Sequence, residues 1–78
     1  MIQELDRIVL TTDLVAEGLQ SGDIGTVVLV HRGGKGYEVE FISLTGETVA
    51  VVSVFANQVR PIQKFEIAHA RPFAAIAA

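Results

Sequence analysis

Apolar residues in this chain come in short β-branched runs separated by clusters of Gly, Asp, Ser and Thr, with no helical repeat in the first sixty positions. Tyr37-Glu38-Val39-Glu40-Phe41 alternates most cleanly. A period of two places Tyr37, Val39 and Phe41 on one face of a strand and Glu38 and Glu40 on the other. That alternation predicts a strand over residues 37–43. Three other runs rich in Val, Ile and Thr predict strands over 7–11, 26–31 and 48–54. A fifth, short strand is predicted over 58–62, where Pro61 is tolerated only at an edge or an end. Residues 2–5 have room for one helical turn at most, and Phe55-Ala56-Asn57 reads as another brief turn.

The connections are equally legible. Arg32-Gly33-Gly34-Lys35-Gly36 supplies the positive φ that a tight hairpin needs, and Thr45-Gly46-Glu47 is a second short turn. Residues 12–23 hold Asp13, Gly18, Ser21, Gly22 and Asp23 around isolated Leu14, Val15 and Leu19, which predicts a long loop pinned to the core by a few apolar anchors. Five short strands, a long first loop, two tight hairpins and one turn before the last strand predict an all-β fold: a small five-stranded SH3-like barrel, partly opened. A five-stranded oligonucleotide-binding barrel is the rival, but its usual helix between the third and fourth strands has no room here. The expected division is a barrel over residues 1–62 and a C-terminal appendage over 63–78. Within the appendage, 63–70 has the composition for a helix, and 73–78 is apolar and Ala-rich.

Four segments taken in order carry a resemblance. Leu5-Asp6-Arg7-Ile8-Val9-Leu10-Thr11, the Gly18-Leu19 plus Gly22-Asp23-Ile24-Gly25-Thr26-Val27-Val28 run, Tyr37-Glu38-Val39-Glu40-Phe41 and Val59-Arg60-Pro61-Ile62 resemble a bacterial family of small proteins, domain of unknown function 4926. The likeness spans about residues 4–62. It implies an SH3-like barrel and brings no established enzyme activity or cofactor with it. The Gly-Asp-x-Gly-Thr-Val portion more loosely resembles accessory subunits of photosynthetic and redox complexes, and the KOW modules of transcription and ribosome factors. Such likeness is one of fold, and fold does not fix function.

Composition adds two constraints. A domain of 78 residues buries only about 60% of the surface its unfolded chain exposes. Yet half of its residues are hydrophobic and the mean hydropathy is +0.45. The run 48–54 and Val27-Val28-Leu29-Val30 are apolar on both strand faces, so one face of each needs a cover. Either the tail folds back through Phe65, Ile67, Phe73 and Ile76, or a second chain supplies the cover. Charge is the other constraint. The net charge of −3 opposes a protein built to neutralise phosphates. Residues 1–59 hold three cations against eight acids, whereas 60–78 hold three cations against one.

No motif for catalysis or cofactor binding stands out. Gly22-Asp23-Ile24-Gly25 lacks the spacing, the Lys-Ser/Thr pair and the following helix of a phosphate-binding loop, and reads as a turn into a strand. With no cysteine, a zinc site on His31 and His69 would need two carboxylates as well. Ser21, Ser43 and Ser53 carry no nucleophile signature, and Glu38 with Glu40 makes an ordinary acidic face. The expectation is therefore a non-catalytic protein-protein interaction module without metal or cofactor, an accessory subunit or an antitoxin- or immunity-type partner of a larger bacterial protein. Its partner-binding residues are expected among Tyr37, Val52, Val54, Phe55, Phe65 and Phe73, with a partner that is either a second copy, through tail exchange, or another protein. A KOW-like nucleic-acid or ribonucleoprotein module is the alternative, on Arg32, Lys35, Arg60, Lys64 and Arg71. Absent cysteine, and with Ile8-Val9-Leu10 too short for a membrane span or a leader core, the cytoplasm is the expected location.

Overall fold

In the computed structural model, which describes residues 1–73, five antiparallel strands form one curled sheet. They are β1 (Arg7–Leu10), β2 (Ile24–His31), β3 (Gly36–Ile42), β4 (Thr48–Phe55) and β5 (Val59–Pro61), in the spatial order β4-β3-β2-β1-β5. One 3-10 turn, Val15–Glu17, lies in the loop between β1 and β2, and another, Ala56–Gln58, joins β4 to β5. The sheet bends round without pairing β4 to β5, which makes the partly open SH3-like barrel that the strand spacing predicts.

Alternation builds the core. Tyr37, Val39 and Phe41 point inward from β3 and meet Ile8 and Leu10 of β1, Val27 of β2, Val52 and Val54 of β4, Val59 of β5 and Leu19 of the first loop. Each such side chain contributes roughly 1.5–3 kcal/mol on burial, so this one cluster supplies the driving force for the fold. No polar or charged residue is buried among those described. Two irregularities curl the sheet. Register shifts between Val27 and Leu29 of β2, and between Phe41 and Ile42 of β3 opposite β4, leaving Val28 and Val49 as extra residues. Bulges of this kind bend a strand and sharpen its twist.

Gly25 is where the first two strands lie flush with the core. A Cβ there would sit 2.5 Å from Val39 Cγ1 and 2.8 Å from the Phe41 ring. The glycine of the Gly-Asp-x-Gly turn thus clears space for the inward row of β3.

The loop of residues 12–23 is anchored less broadly than its sequence suggests. Leu19 is buried and Leu14 half-buried, the two bridging each other, but Val15 projects into solvent. Gly22 N–H donates to the Leu10 carbonyl at 2.8 Å and Leu10 N–H to the Asp23 carbonyl at 2.9 Å, which ties the loop's end to β1.

The appendage differs from expectation. Residues 63–70 form no helix; they make one turn and then continue without regular structure, exposed throughout. Phe65 adopts φ +66°, a left-handed conformation that interrupts any helix and is unusual for a bulky side chain. The turn is held instead by Glu66, whose carboxylate accepts the Gln63 N–H at 2.6 Å and a two-pronged ion pair from Arg60 at 3.0 and 2.6 Å. Ile76 lies outside the described residues.

Replacing Gly25 by Ala is expected to destabilise the protein by about 1–3 kcal/mol through overpacking against Val39 and Phe41. Urea unfolding of the wild type and the variant measures it.

Candidate interaction surfaces

Two surfaces remain once the core is filled: the outer face of the sheet and the mouth of the barrel. The register of β2, β3 and β4 determines the first. Leu29 lies opposite Glu38, which lies opposite Ser53; Thr26 lies opposite Glu40, which lies opposite Val51; Gly36 separates His31 from Phe55. Facing residues on antiparallel strands share a side of the sheet, so all of these stand on the side away from the core. Leu29 is 44% exposed, Val51 55% and Phe55 71%. Ile42, at the far end of β3, is also exposed.

Polar contacts fix the charged part of this face. Glu38 accepts hydrogen bonds from the Ser53 hydroxyl and, at 3.0 Å, from His31 Nε2; Thr48 donates to Glu40 at 2.6 Å. The Ser53 hydroxyl first, and His31 second, hold the Glu38 carboxyl below its usual range. Half-buried Glu38 thus keeps its negative charge to lower pH than an unpartnered glutamate. Its position between Ser53 and His31 also differs from a nucleophile relay, in which the histidine stands between serine and acid. No Lys or Arg lies on these three strands; Arg32 and Lys35 occupy the β2–β3 hairpin tip, where with Phe55, Ser53 and Asn57 they border a shallow cleft of about 880 Å³.

The mouth of the barrel opens between the end of the first loop and the β3–β4 turn. Leu19, Ile24, Phe41 and Val49 line a cavity of about 420 Å³ there, and the tail from Ala68 to Phe73 crosses it. Arg71 is the fastener. Its Nε donates to one oxygen of Asp23 at 2.9 Å, its Nη2 to the other at 2.5 Å, and Nη2 also reaches the Gly18 carbonyl at 3.1 Å. Asp23 additionally accepts the Gln20 N–H at 2.8 Å. Burial raises the Asp23 pKa, but the bonds from Arg71 and Gln20 and the charge of Arg71 together outweigh it, and the carboxyl is held below its ordinary range. Phe73 follows and is half-buried against the core cluster.

The structure separates the residues expected at an interface. Tyr37, Val52 and Val54 are core residues, at 5%, 9% and 4% exposure, and offer a partner almost nothing. They face inward because they share the parity of Val39, the centre of the core. Phe55 and Phe65 are open to solvent, and Phe73 sits at the mouth. The cover expected from the tail is supplied only in part: Phe73 packs, whereas Phe65 and Ile67 stay exposed, and the outer face bearing Leu29 and Val51 is not among the contacts of Phe73 at the mouth. Sequence reasoning marks the runs that hold Leu29 and Val51 as needing a cover but names neither residue, although the strict alternation of β3 combined with hairpin pairing points to both. It also missed the Arg71–Asp23 pair, whose members are 48 residues apart.

His31 belongs to the sheet face and hairpin cleft, His69 to the mouth. Among the described residues, no group of three His, Asp or Glu side chains is placed to hold a metal ion. No helix among them is long and apolar enough to cross a membrane.

The family described as Domain of unknown function (DUF4926) matches residues 4–61. That span runs from the first turn to the last residue of β5 and leaves out the tail. No curated protein and no solved structure gives a match to the chain.

The tail's tethers carry a pH signature. Glu66, paired with Arg60 first and with the Gln63 N–H second, has its pKa lowered from 4.5 to about 2. A depressed folded value means that the contribution is complete above about pH 4.5 and is lost as pH falls through about 2. Asp23, also depressed, acts in the same direction. Thermal midpoints recorded from pH 7 to pH 2 are therefore expected to fall on acidification, and to fall less steeply below pH 4.5 in Glu66→Gln. Equal slopes in the two proteins would contradict this reading of the pair.

Proposed function

The chain belongs to the DUF4926 family, and on that footing we propose that it is a non-catalytic interaction module that binds a protein partner through the outer face of β2, β3 and β4. The observation that carries this reading is the combination on one surface of exposed Leu29, Val51 and Phe55 with the carboxylates of Glu38 and Glu40. In a small domain, apolar side chains grouped on a regular, pre-formed surface mark an interaction site. The aromatic Phe55 is the natural anchor and the fixed carboxylates select the charge of what docks. A partner with an apolar patch flanked by Lys or Arg fits; an acidic one is repelled.

An accessory subunit, or an antitoxin- or immunity-type protein held by a larger protein, would use such a face, and a cytoplasmic location suits a cysteine-free chain of this kind. Self-association uses the same chemistry less well, since face-to-face pairing of two copies opposes their carboxylates. A nucleic-acid reading has one observation in its favour: Arg32 and Lys35 line the hairpin cleft together with the exposed Phe55. Two cations at one hairpin tip, in a chain of net charge −3, give it little electrostatic reach.

The test is capture of the partner from host lysate with tagged wild type and with the double variant Val51→Lys, Phe55→Ala, both checked for folding by circular dichroism. A single stoichiometric protein bound by the wild type and reduced at least tenfold in the variant is expected. Equal recovery by both would remove the sheet face from the account, and nuclease-sensitive material bound at low ionic strength would favour the nucleic-acid reading.

A further inference from the structure

We propose that the mouth of the barrel is a second binding site, for a partner segment carrying arginine followed two residues later by an aromatic, and that Arg71-Pro72-Phe73 occupies it in cis. The ligand class is read from the occupant. Arg71 meets both oxygens of Asp23 and the Gly18 carbonyl, and Phe73 lodges against the core cluster beside it. These contacts ask only for a guanidinium fork and an aromatic ring at that separation, and a planar fork matched to a carboxylate is the most geometrically selective of charged pairs.

The receptor half is built by the barrel rather than by the tail. Asp23 is set by the Gln20 N–H and by the backbone bonds that join Gly22 and Asp23 to Leu10. Leu19, Phe41 and Val49 are held by the core and its flanking strands. The carboxylate and the apolar wall therefore stand ready whether or not the tail is docked.

The occupant, by contrast, is lightly held. From Gln63 to Ala70 every residue is exposed, and the Arg60–Glu66 pair fixes only the start of this stretch. Docking of residues 71–73 thus relies on being tethered nearby, and a tether of this kind supplies an effective concentration in the millimolar range. A partner segment of the same chemistry that brings additional contacts would displace it. The tail then serves as a built-in competitor that raises the affinity a partner must have. This site shares only Ile42, at the end of β3, with the sheet face: Leu29, Val51 and Phe55 do not line it, so either reading can fail without the other.

The experiment uses the full chain. The variant Arg71→Ala, Phe73→Ala keeps the barrel and releases the mouth. It is titrated with the hexapeptide Ala-His-Ala-Arg-Pro-Phe, the chain's own residues 68–73, while the amide resonances of Gly18, Leu19, Asp23 and Ile24 are followed by NMR. Saturable shifts at those positions are expected, with affinity at least tenfold weaker for the wild type, whose own tail competes. Changing the peptide's arginine to alanine is expected to cost tenfold or more and leaves the protein itself unaltered, so a folding defect cannot mimic the result. A folded variant that shows no saturable shift up to 10-millimolar-order peptide, about ten times the tether's effective concentration, would overturn the proposal. So would a wild-type dimer in which each Arg71 fills its neighbour's mouth, since the groove would then serve self-assembly.

Discussion

The inward row of β3 is the constraint on which the rest of the molecule depends. Tyr37, Val39 and Phe41 sit at the centre of a single apolar cluster that draws on all five strands and on Leu19 of the first loop. Their packing requires Gly25 to have no side chain, since a Cβ would collide with Val39 and Phe41. It also dictates what faces outward. With one residue in two committed to the core, Glu38 and Glu40 must lie on the other side, and the pairing of β3 with β2 and β4 aligns Leu29, Val51 and Ser53 beside them. The acidic and apolar character of the outer face thus follows from the same alternation that builds the core.

Small size turns this arrangement into an excess. The core is one layer deep, and strands as apolar as β2 and β4 carry more Val and Leu than it can hold. Bulges at Val28 and Val49 take up part of the difference by turning the strands, which leaves Val49 and Ala50 both half-buried. Val28, Leu29 and Val51 stay at the surface. The tail relieves a different deficit, the opening at the end of the barrel, and does so with one ion pair and one ring.

Strands and turns were legible because each is written in local chemistry. The Tyr37–Phe41 alternation, the glycines of the hairpins and the β-branched runs specify elements within a few residues of one another, and the strands lie where those signals put them. The first two residues of β2 were missed because Ile24 and Gly25 read as part of the turn. The tail was misread as helical because its Gln, Lys, Glu and Ala are good helix formers. Specific ion pairs hold it instead: Arg60 captures Glu66 across the turn in which Phe65 takes positive φ, and Asp23, 48 residues away, captures Arg71. The interface residues divided on parity. Side-chain type alone nominates Tyr37, Val52 and Val54, whereas their inward position on β3 and β4 leaves them buried and their outward neighbours exposed.

The central claim is that the outer face of β2, β3 and β4 is where a partner binds. Hydrogen–deuterium exchange of the chain alone and of the chain saturated with its captured partner tests it most directly, because the readout is positional and needs no substitution. Added protection is expected along residues 27–31, 38–42 and 50–55. Protection confined to the mouth, around residues 18–24 and 68–73, or to the hairpin tip at 32–35, would contradict it.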